Sequence, residues 1–413
     1  MKNLIKMKSN LRLYLLLASL GVFLQSCDFL FGSREDETVD EVFEQGRIDP
    51  NLIPENVGYV PIFPYWEGFD QPRDVYVGYD EMVYVIDNRG VNILDRKGEL
   101  HRTINIPNAG KVVQSRQMHT YVTGRADVEV GGQMFNLAAV YRILGASTSG
   151  TPEIIDTLIH PFADASRNNT SFRPNDDPQV EFTGVTTLAD NTLYVSRKGP
   201  RNDLTAISRP DNTILIFNNA GENTGHTSGL NPVTSNLRSV LDVGGIASFA
   251  APPQSLGGFS TSGDFLLVQQ SPQAEYKVLW IKRVIDPETG IRFEENANLV
   301  QFDFTRADRF LYEPNRFKKP SDVYVATDAQ GYIFVVDAQK DSLYQFTRSG
   351  AEGVNPPPNS PDTKNIIVSF GGSGNGPFQF NEPSGVCYHR RVVYVADKGN
   401  NRIARFKLST DLE

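Results

Sequence analysis

A short stretch near the carboxyl end of the chain constrains the fold most: residues 392–406, with the sequence VVYVADKGNNRIARF. Residues 392–396 are a short apolar run rich in Val, and apolar residues recur in 402–406, which is typical of short β-strands. Between them, the KGNN segment at 398–401 interrupts the run with residues that favour tight turns. We therefore predict two short antiparallel strands joined by a polar turn.

Just upstream, Pro383, Gly385 and Val386 open a third segment of the same kind. Together the three segments resemble one NHL repeat. In that repeat, Pro-x-Gly-Val is followed by a strand ending in Tyr-Val-Ala-Asp and by a strand that begins near Asn-x-Arg-Ile. The resemblance implies that this unit is one blade of a β-propeller.

The opening of the unit recurs upstream, where Pro72 and Pro320 each start the pattern Pro-x-Asp-Val-Tyr-Val. In all three units an Asp closes a second apolar run 14 to 17 residues after the proline. Weaker units fill the middle of the chain, so that candidate blades start near residues 72, 112, 182, 257, 320 and 383. We predict an all-β fold, a six-bladed NHL-like β-propeller over residues 56–413, because propellers commonly contain four to eight four-stranded blades.

The last predicted blade lacks an outer strand, because the chain stops soon after Phe406. Residues 57–63 are an apolar run that occupies the position of an outer strand before the blade at Pro72. We predict that residues 57–63 pair with the last blade. This N-terminal strand would close the ring and remove two open sheet edges.

The amino terminus has the form of a targeting segment. Lys2, Lys6, Lys8 and Arg12 precede an apolar run over 13–24, which is short for a membrane span. The run ends in LQSC at 24–27, which resembles a bacterial lipobox and implies a lipoprotein signal peptide over 1–26 and acylation of Cys27. An ordinary signal peptide or anchor with a chance cysteine is the alternative. Residues 27–55 then hold the lipidated cysteine and a flexible acidic tether.

Charge and cysteine content narrow the choice of partners. The net charge is −9, and removal of residues 1–26 leaves 36 basic and 49 acidic residues, a net charge of −13. This balance disfavours nucleic acid as a partner, and it disfavours electrostatic adsorption to a membrane, so the lipid would be the membrane anchor. We expect a lipid-anchored protein of the cell envelope, at the outer membrane.

With Cys27 acylated, Cys387 has no disulfide partner and is predicted to be buried and inert.

Four cations are the best candidates for ligand binding, since each falls just after the predicted second strand of a blade: Arg89, Arg125, Arg197 and Lys398. In a propeller these turns share one face, so repetition would gather the cations around one mouth, where they could bind a carboxylate or a phosphate. The alternative is that each pairs with a local Asp or Glu. The acids that end second strands are predicted to form turns rather than to act in catalysis: Asp87, Asp337 and Asp397.

No nucleophile elbow, zinc-protease motif or phosphate-binding loop occurs in the sequence, and we predict no catalytic residue and no cofactor. His119 and His389 lie on predicted inner strands, so a metal site shared near the axis is the candidate among the five histidines. Neither histidine belongs to a pair with the spacing of known metal ligands.

NHL propellers bind proteins, peptides or RNA, and the acidic charge disfavours RNA here. The resemblance therefore implies a lipoprotein whose propeller is a binding platform for a protein, peptide or glycan partner. The alternative is an extracytoplasmic propeller hydrolase or lyase with a metal near the central channel. A third interpretation is a structural scaffold within an envelope complex.

Overall fold

The computed structural model describes residues 46–159, 161, 172–200, 212–227, 241–250, 262–288, 290–326, 328, 330–358 and 360–412. The predicted signal peptide, Cys27 and the tether as far as residue 45 lie outside the described residues. The strands are β1 (Arg47–Ile48), β2 (Tyr59–Phe63), β3 (Asp74–Val77), β4 (Val83–Asp87), β5 (Gly90–Leu94), β6 (Leu100–Ile104), β7 (Val112–Gln114), β8 (Thr120–Val130), β9 (Gln133–Leu144), β10 (Glu153–Ile159), β11 (Glu181–Thr187), β12 (Leu193–Lys198), β13 (Thr213–Phe217), β14 (Asn223–His226), β15 (Val243–Ser248), β16 (Phe265–Gln269), β17 (Val278–Asp286), β18 (Gly290–Glu295), β19 (Pro320–Val325), β20 (Ile333–Asp337), β21 (Ser342–Phe346), β22 (Phe370–Gly371), β23 (Pro383–His389), β24 (Val392–Asp397) and β25 (Arg402–Leu408).

Helical structure in the described ranges is limited to short 3₁₀ turns: Pro50–Leu52, Asp177–Gln179, Ala297–Val300, Lys398–Asn400 and Ser409–Asp411. Within these ranges, no helix combines the length and the apolar character that crossing a membrane requires.

Six antiparallel sheets form the blades of a propeller, as the sequence predicts. Blades 1 to 5 contain four consecutive strands each, β3–β6, β7–β10, β11–β14, β15–β18 and β19–β22, and blade 6 contains β23, β24, β25 and β2. The first strands of the blades (β3, β7, β11, β15, β19 and β23) contact one another in sequence, and β23 returns to contact β3. The ring of inner strands is therefore complete and surrounds a central channel.

The predicted closing strand is confirmed. β2 pairs antiparallel with β25, and Tyr59 lies opposite Leu408 in the register. A second contact follows in the chain, where the backbone N–H of Trp66 donates to the carbonyl of Ile403 at 3.1 Å and the reverse bond measures 2.8 Å. The amino-terminal strand thus covers the outer edge that blade 6 would otherwise expose.

Apolar side chains on both faces of each sheet pack against the neighbouring blades. Between blades 1 and 6, Val75 and Val85 belong to the same buried cluster as Cys387, Tyr394 and Ile403. A single blade could not cover both of its apolar faces, so the stability of each blade depends on its neighbours. Cys387 is buried, as predicted.

The acids at the ends of the second strands are turn formers, as predicted. The Asp337 carboxylate accepts four backbone N–H bonds, from residues 318, 319, 339 and 340, at 2.6 to 3.1 Å. Asp397 accepts bonds from the backbone N–H of Asn381 and from the Arg402 guanidinium, at 2.8 and 2.7 Å. Arg402 also donates to carbonyl groups of the glycine-rich segment at 375–379. In blades 5 and 6 these bonds hold the turn that precedes the inner strand to the turn that follows the second strand.

The prediction for the start of the fourth blade is wrong. The inner strand of that blade is β15, Val243–Ser248, rather than a strand near residue 257. Residues 257–259 lie outside the described residues. The sequence VGGIAS of β15 has too few large apolar residues to show a strand pattern, and the small residues meet a steric need described below.

The two faces of the propeller are named here by the direction of the inner strands. Inner strands begin at the entry face and end at the exit face. At the exit face, the turns that lead into the second strands contain residues with positive φ: Glu81, Met118, Asn191 and Arg391, at 62°, 63°, 65° and 65°. This left-handed position closes the turn compactly, so the second strand starts directly beside the end of the inner strand.

Candidate functional site

A buried ion cluster lies where three blades meet at the axis near the entry face. The Lys111 ammonium Nζ is 2.8 Å from Asp322 Oδ2 and 3.1 Å from Asp74 Oδ1. It also donates to the backbone carbonyl of Ser384 at 3.1 Å. The second oxygen of Asp74, Oδ2, accepts a hydrogen bond from the Val112 N–H at 2.9 Å, so both carboxylate oxygens of Asp74 are hydrogen-bonded.

Two glycines make room for the acids of the cluster. A side chain at position 245 would place its Cβ 2.2 Å from Asp322 Oδ1, and one at position 385 would lie 2.8 Å from the Cα of Asp74. Both distances are far below van der Waals contact, so only glycine fits at Gly245 and Gly385. This is the steric reason for the small residues of β15.

Burial dominates the titration of the cluster. Burial and the neighbouring Asp322, against the influence of Lys111, raise the pKa of Asp74 to about 7. Burial lowers the pKa of Lys111, but the carboxylates of Asp322 and Asp74 outweigh it and raise this pKa above its ordinary value, so the ammonium stays charged. The cluster therefore depends on Lys111 as the shared counter-charge of two acids.

Below the cluster the channel is almost filled. A cavity of about 50 Å³ remains, lined by inner-strand residues of all six blades, among them Tyr76 and Tyr324. Beside it, the Val77 N–H donates to Cys387 Sγ at 3.3 Å, and burial raises the pKa of this thiol to about 12. A protonated thiol is a poor nucleophile, which agrees with the prediction that Cys387 is inert.

Above the cluster, an open mouth cavity of about 240 Å³ lies at the entry face. Its polar lining includes Arg73, Lys111, Glu181 and Lys198. Lys111 lines both the mouth cavity and the axial cavity, so the ion cluster separates the two. A ligand in the mouth would meet the cations without entering the channel.

The cations of the mouth differ in how they are compensated. Arg73 donates to two neutral groups, the carbonyl of Ala109 at 3.0 Å and Asn88 Oδ1 at 2.6 Å. Lys198 Nζ lies 2.7 Å from Asp242 Oδ1, and both side chains are partly exposed. Half-exposed ion pairs are weak, so the Lys198 ammonium can exchange its partner at little cost.

The four cations predicted from the sequence all lie toward the entry face, yet each is held within or beside its own blade. Arg89 pairs with Asp87 at 2.6 Å, and Lys398 pairs with Glu382 at 3.2 Å. Arg125 donates to the carbonyl of Val180 at 2.9 Å and to Asn136 Oδ1 at 2.6 Å. The Arg197 side chain is 1% exposed.

Two of these positions differ from the prediction that each cation follows a second strand. Arg125 lies inside β8 and Arg197 inside β12, because both second strands are longer than the sequence pattern suggests. Side chains alternate along a strand, so Arg197 points into the protein and the next residue, Lys198, lines the mouth. Alternation counted from the buried Val195 was the signal that could have identified Lys198.

Arg73 and Lys111 were also missed, although both stand directly before an inner strand. In a ring of inner strands those positions converge at the entry face. The repeated opening Pro-x-Asp-Val could therefore have drawn attention to the residue between Pro72 and Asp74.

The two histidines proposed as metal ligands lie at the exit face, in blades 2 and 6. His389 ends the inner strand β23, as predicted, but His119 lies in the turn before β8, since β7 ends at Gln114. Burial lowers the pKa of the His119 imidazole, and the guanidinium of Arg142, 2.9 Å from His119 Nδ1, lowers it further. In the described ranges, no group of three His, Cys, Asp or Glu side chains has a geometry that could hold a metal ion.

His389 is buried and neutral. Burial lowers its pKa to about 4, and Arg390 and Arg96 act in the same direction against Glu81. Its Nε2 atom has no hydrogen-bond partner in the part of the chain that the structure describes. The charge cost of burying an imidazolium explains why the ring remains unprotonated near pH 7.

Comparison with known proteins agrees with this architecture. Residues 380–406, which span β23, β24 and most of β25, match the model of the NHL repeat. The last blade is an NHL repeat. No curated protein sequence matches the chain.

Solved structures of similar architecture are propeller proteins of low sequence identity. A luciferin-regenerating enzyme shares 9% identity with a TM-score of 0.50, and the match covers 84% of this chain and 95% of that one. A gluconolactonase from Xanthomonas campestris shares 7% identity with a TM-score of 0.44, covering 88% and 96%. An aldose sugar dehydrogenase from Streptomyces coelicolor, in its PQQ-bound form, shares 11% identity with a TM-score of 0.46, covering 86% and 99%. The match with a TM-score of 0.50 shows a shared fold and nothing more at 9% identity, and no activity transfers from these proteins to this chain.

Proposed function

We propose that the chain is a lipid-anchored protein of the cell envelope whose propeller is a binding platform, and that a protein, peptide or glycan partner docks at the mouth of the entry face. The observation that carries this proposal is the mouth cavity with its two accessible cations, Arg73 and Lys198. The membrane contact is the lipid on Cys27, at the outer membrane, and the acidic net charge disfavours nucleic acid.

Arg73 is suited to a carboxylate. Its guanidinium donates to a carbonyl oxygen and to an amide oxygen, and neither of these acceptors carries a negative charge. A guanidinium can present two parallel N–H donors to one carboxylate, which adds both strength and orientation. Lys198 could supply a second contact when its exposed pair with Asp242 opens. A partner that offers an acidic side chain or an acidic sugar would satisfy both cations.

The size of the cavity limits what can enter. At about 240 Å³ it falls below the range of about 300–1,000 Å³ that is usual for small-molecule sites. It fits one projecting group of a larger partner, and the rest of the partner would lie on the entry face.

The alternative, an extracytoplasmic hydrolase or lyase with a metal near the channel, requires free ligands at the axis. There the carboxylates of Asp74 and Asp322 already bind the Lys111 ammonium. This arrangement favours recognition at the mouth over chemistry in the channel.

The binding proposal can be tested with the purified full-length chain on arrays of peptides and glycans with and without carboxylates. We expect carboxylate-bearing ligands to bind, and Arg73→Glu to weaken that binding by about tenfold or more. Lys97→Glu is the matched control, because Lys97 is exposed in the turn before β6 at the opposite face. Equal binding by Arg73→Glu and the parent chain would exclude the mouth as the site, and equal losses in both variants would indicate unspecific attraction.

The anchor is tested separately by metabolic labelling of cells with a fatty acid. Cys27→Ser should abolish incorporation of the label and release the protein from the membrane fraction. Labelling that survives in Cys27→Ser would exclude Cys27 as the acylated residue.

A further inference from the structure

A second cavity, on the opposite face, is larger than the mouth. It measures about 470 Å³ and lies between blades 5 and 6 at the exit face. Tyr332, Val354 and Leu408 are buried residues of its lining. Residues 356–358, three consecutive prolines, and Tyr388 form apolar walls. The volume falls within the range usual for sites that enclose a small ligand or one or two side chains.

Acidic groups dominate the charged part of this cavity. Asp328 and Asp411 both line it, and Arg391 is the cation among its lining residues. Arg391 pairs with Asp411 at 3.2 Å, and its side chain is 65% exposed. The Asp328 carboxylate accepts hydrogen bonds from neutral donors: the Tyr388 hydroxyl at 2.6 Å and the backbone N–H groups of residues 330 and 331. The cavity therefore has a carboxylate whose hydrogen-bond partners leave its charge uncompensated.

Tyr332 adds a polar group to the cavity. The residue is 9% exposed and lines the cavity, so its hydroxyl is available to a group that enters. Burial raises the pKa of this hydroxyl, and the carboxylates of Asp328 and Asp411 raise it further, so it remains a neutral group that can donate or accept.

We propose that this cavity binds a cationic side chain, lysine or arginine, of a partner polypeptide. The charged end would lie at Asp328 and Asp411, and the aliphatic stem would pack on the prolines and on the ring of Tyr388. Long cationic side chains commonly bury their stems on apolar and aromatic surfaces while the charge meets a carboxylate. The Tyr388 ring is fixed for this role, since it stacks on Phe334 with 5.2 Å between centroids.

The charge of Asp411 supports the same conclusion. Burial raises its pKa, and Arg391 and Lys407 counter this effect only in part. A cation that enters the cavity would stabilise the ionised form of Asp411, and the attraction between the two charges would strengthen binding of the cation. The proposal concerns the exit face, so it stands whether or not the mouth of the entry face binds an acidic partner.

The test uses the full-length chain and two tripeptides, acetyl-Gly-Lys-Gly-amide and its norleucine counterpart, which keeps the stem and removes the charge. Titration calorimetry should show that the lysine peptide binds at least tenfold more tightly. Asp328→Asn should remove that preference, and Tyr332→Phe, which keeps the ring and removes the hydroxyl, should weaken lysine binding by about threefold. Glu129→Gln, which removes one exposed charge in blade 2, is the matched control and should bind as the parent does.

Each of the other outcomes contradicts the proposal. Equal affinity for the two peptides, or no binding of either, would exclude a cation site. A lysine preference that persists in Asp328→Asn variants that still melt cooperatively would place the cation elsewhere. Binding of maltose, a neutral disaccharide, in place of the lysine peptide would assign the cavity to a sugar.

Discussion

The two ends of the central channel are built by the same six strands, yet they bury different groups. At the entry end, one ammonium and two carboxylates from three blades meet, and none of these side chains is more than 12% exposed. At the exit end, the last residues of the inner strands are neutral: Val77, Gln114, Thr187, Ser248, Val325 and the unprotonated His389. Buried charge is thus concentrated at the entry end, where the Pro-x-Asp-Val and Pro-x-Gly-Val segments start inner strands. The turns at the exit end are free to vary in sequence. The difference suggests that the entry end fixes the ring, whereas the exit end can carry a site of its own.

The largest expected effect is at the entry end. Replacing Lys111 with methionine leaves the carboxylates of Asp74 and Asp322 buried side by side without a counter-charge. We expect a loss of about 3–5 kcal/mol in the free energy of unfolding, measured by urea denaturation. Lys97→Met should change this free energy by less than about 0.5 kcal/mol, since Lys97 is exposed. A loss below about 1 kcal/mol for Lys111→Met would show that the entry end does not depend on its buried charge.

The next effect concerns the exit end and depends on pH. The pKa of His389 is lowered to about 4 in the fold, so between about pH 6.5 and 4 only the unfolded chain binds the proton. The contribution of His389 to stability is therefore complete above pH 6.5 and is lost as the pH falls, by about 2–3 kcal/mol. His389→Gln should show a smaller loss of stability on acidification than the parent chain. Parallel pH profiles for the two proteins would contradict the burial of a neutral imidazole.

Asp74 should contribute a pH dependence of the free energy of unfolding that is opposite in sign to that of His389. Its pKa is raised to about 7 in the fold, so between about pH 4 and 7 the folded state holds a proton that the unfolded chain releases. This stabilisation is complete below pH 4 and is lost as the pH rises through 7. Stability profiles of Asp74→Asn should therefore rise more steeply from pH 4 to 7 than those of the parent. A flatter rise would mean that Lys111 keeps Asp74 ionised throughout this range.

A smaller effect is expected from a neutral hydrogen bond at the exit end. The buried Ser248 hydroxyl donates to the carbonyl of Thr187 at 2.6 Å and joins blades 3 and 4. Ser248→Ala should cost about 1–2 kcal/mol in thermal or urea unfolding, because one buried acceptor is left unpaired. A loss of stability equal to that of Lys111→Met would contradict the view that the entry end contributes more to the stability of the ring than the exit end.

The smallest effect on stability is expected at the mouth. Lys198→Gln breaks a partly exposed pair with Asp242, which should change the free energy of unfolding by about 0–1 kcal/mol. The same substitution should nevertheless weaken binding of an acidic partner at the entry face. A loss of stability well above 1 kcal/mol would assign Lys198 to the structural cluster rather than to the binding surface.

The sequence predicted those features of the fold whose pattern lies within a single repeat. Blades 1, 5 and 6 follow from Pro72, Pro320 and Pro383, because each repeat contains its own strands and turn-forming Asp. The inner strand of blade 4 could not be predicted, since its glycines serve a contact between Gly245 and Asp322 that lies far along the chain.

The candidate site was harder still to predict. Asp74, Lys111 and Asp322 belong to different blades. The repeated Pro-x-Asp-Val opening places Asp74 and Asp322 at equivalent positions, but no sequence pattern identifies Lys111 as the cation between them. At the mouth the prediction was displaced by one residue, from Arg197 to Lys198. Side-chain alternation decides between such neighbours, and it can be counted only when the ends of the strand are known.

The closing strand has a consequence for the order of folding. The N–H of Gly58 donates to the hydroxyl of Ser409 at 3.2 Å, a contact between residues 351 positions apart. A chain made from its amino end exposes the edge of β2 until its partner strand β25, which lies far along the chain, has been synthesised. Contacts between residues so far apart in the sequence form slowly, and until they form the unpaired edge of β2 can pair with strands of other chains. Truncation before residue 402 would therefore yield an aggregating chain rather than a smaller propeller.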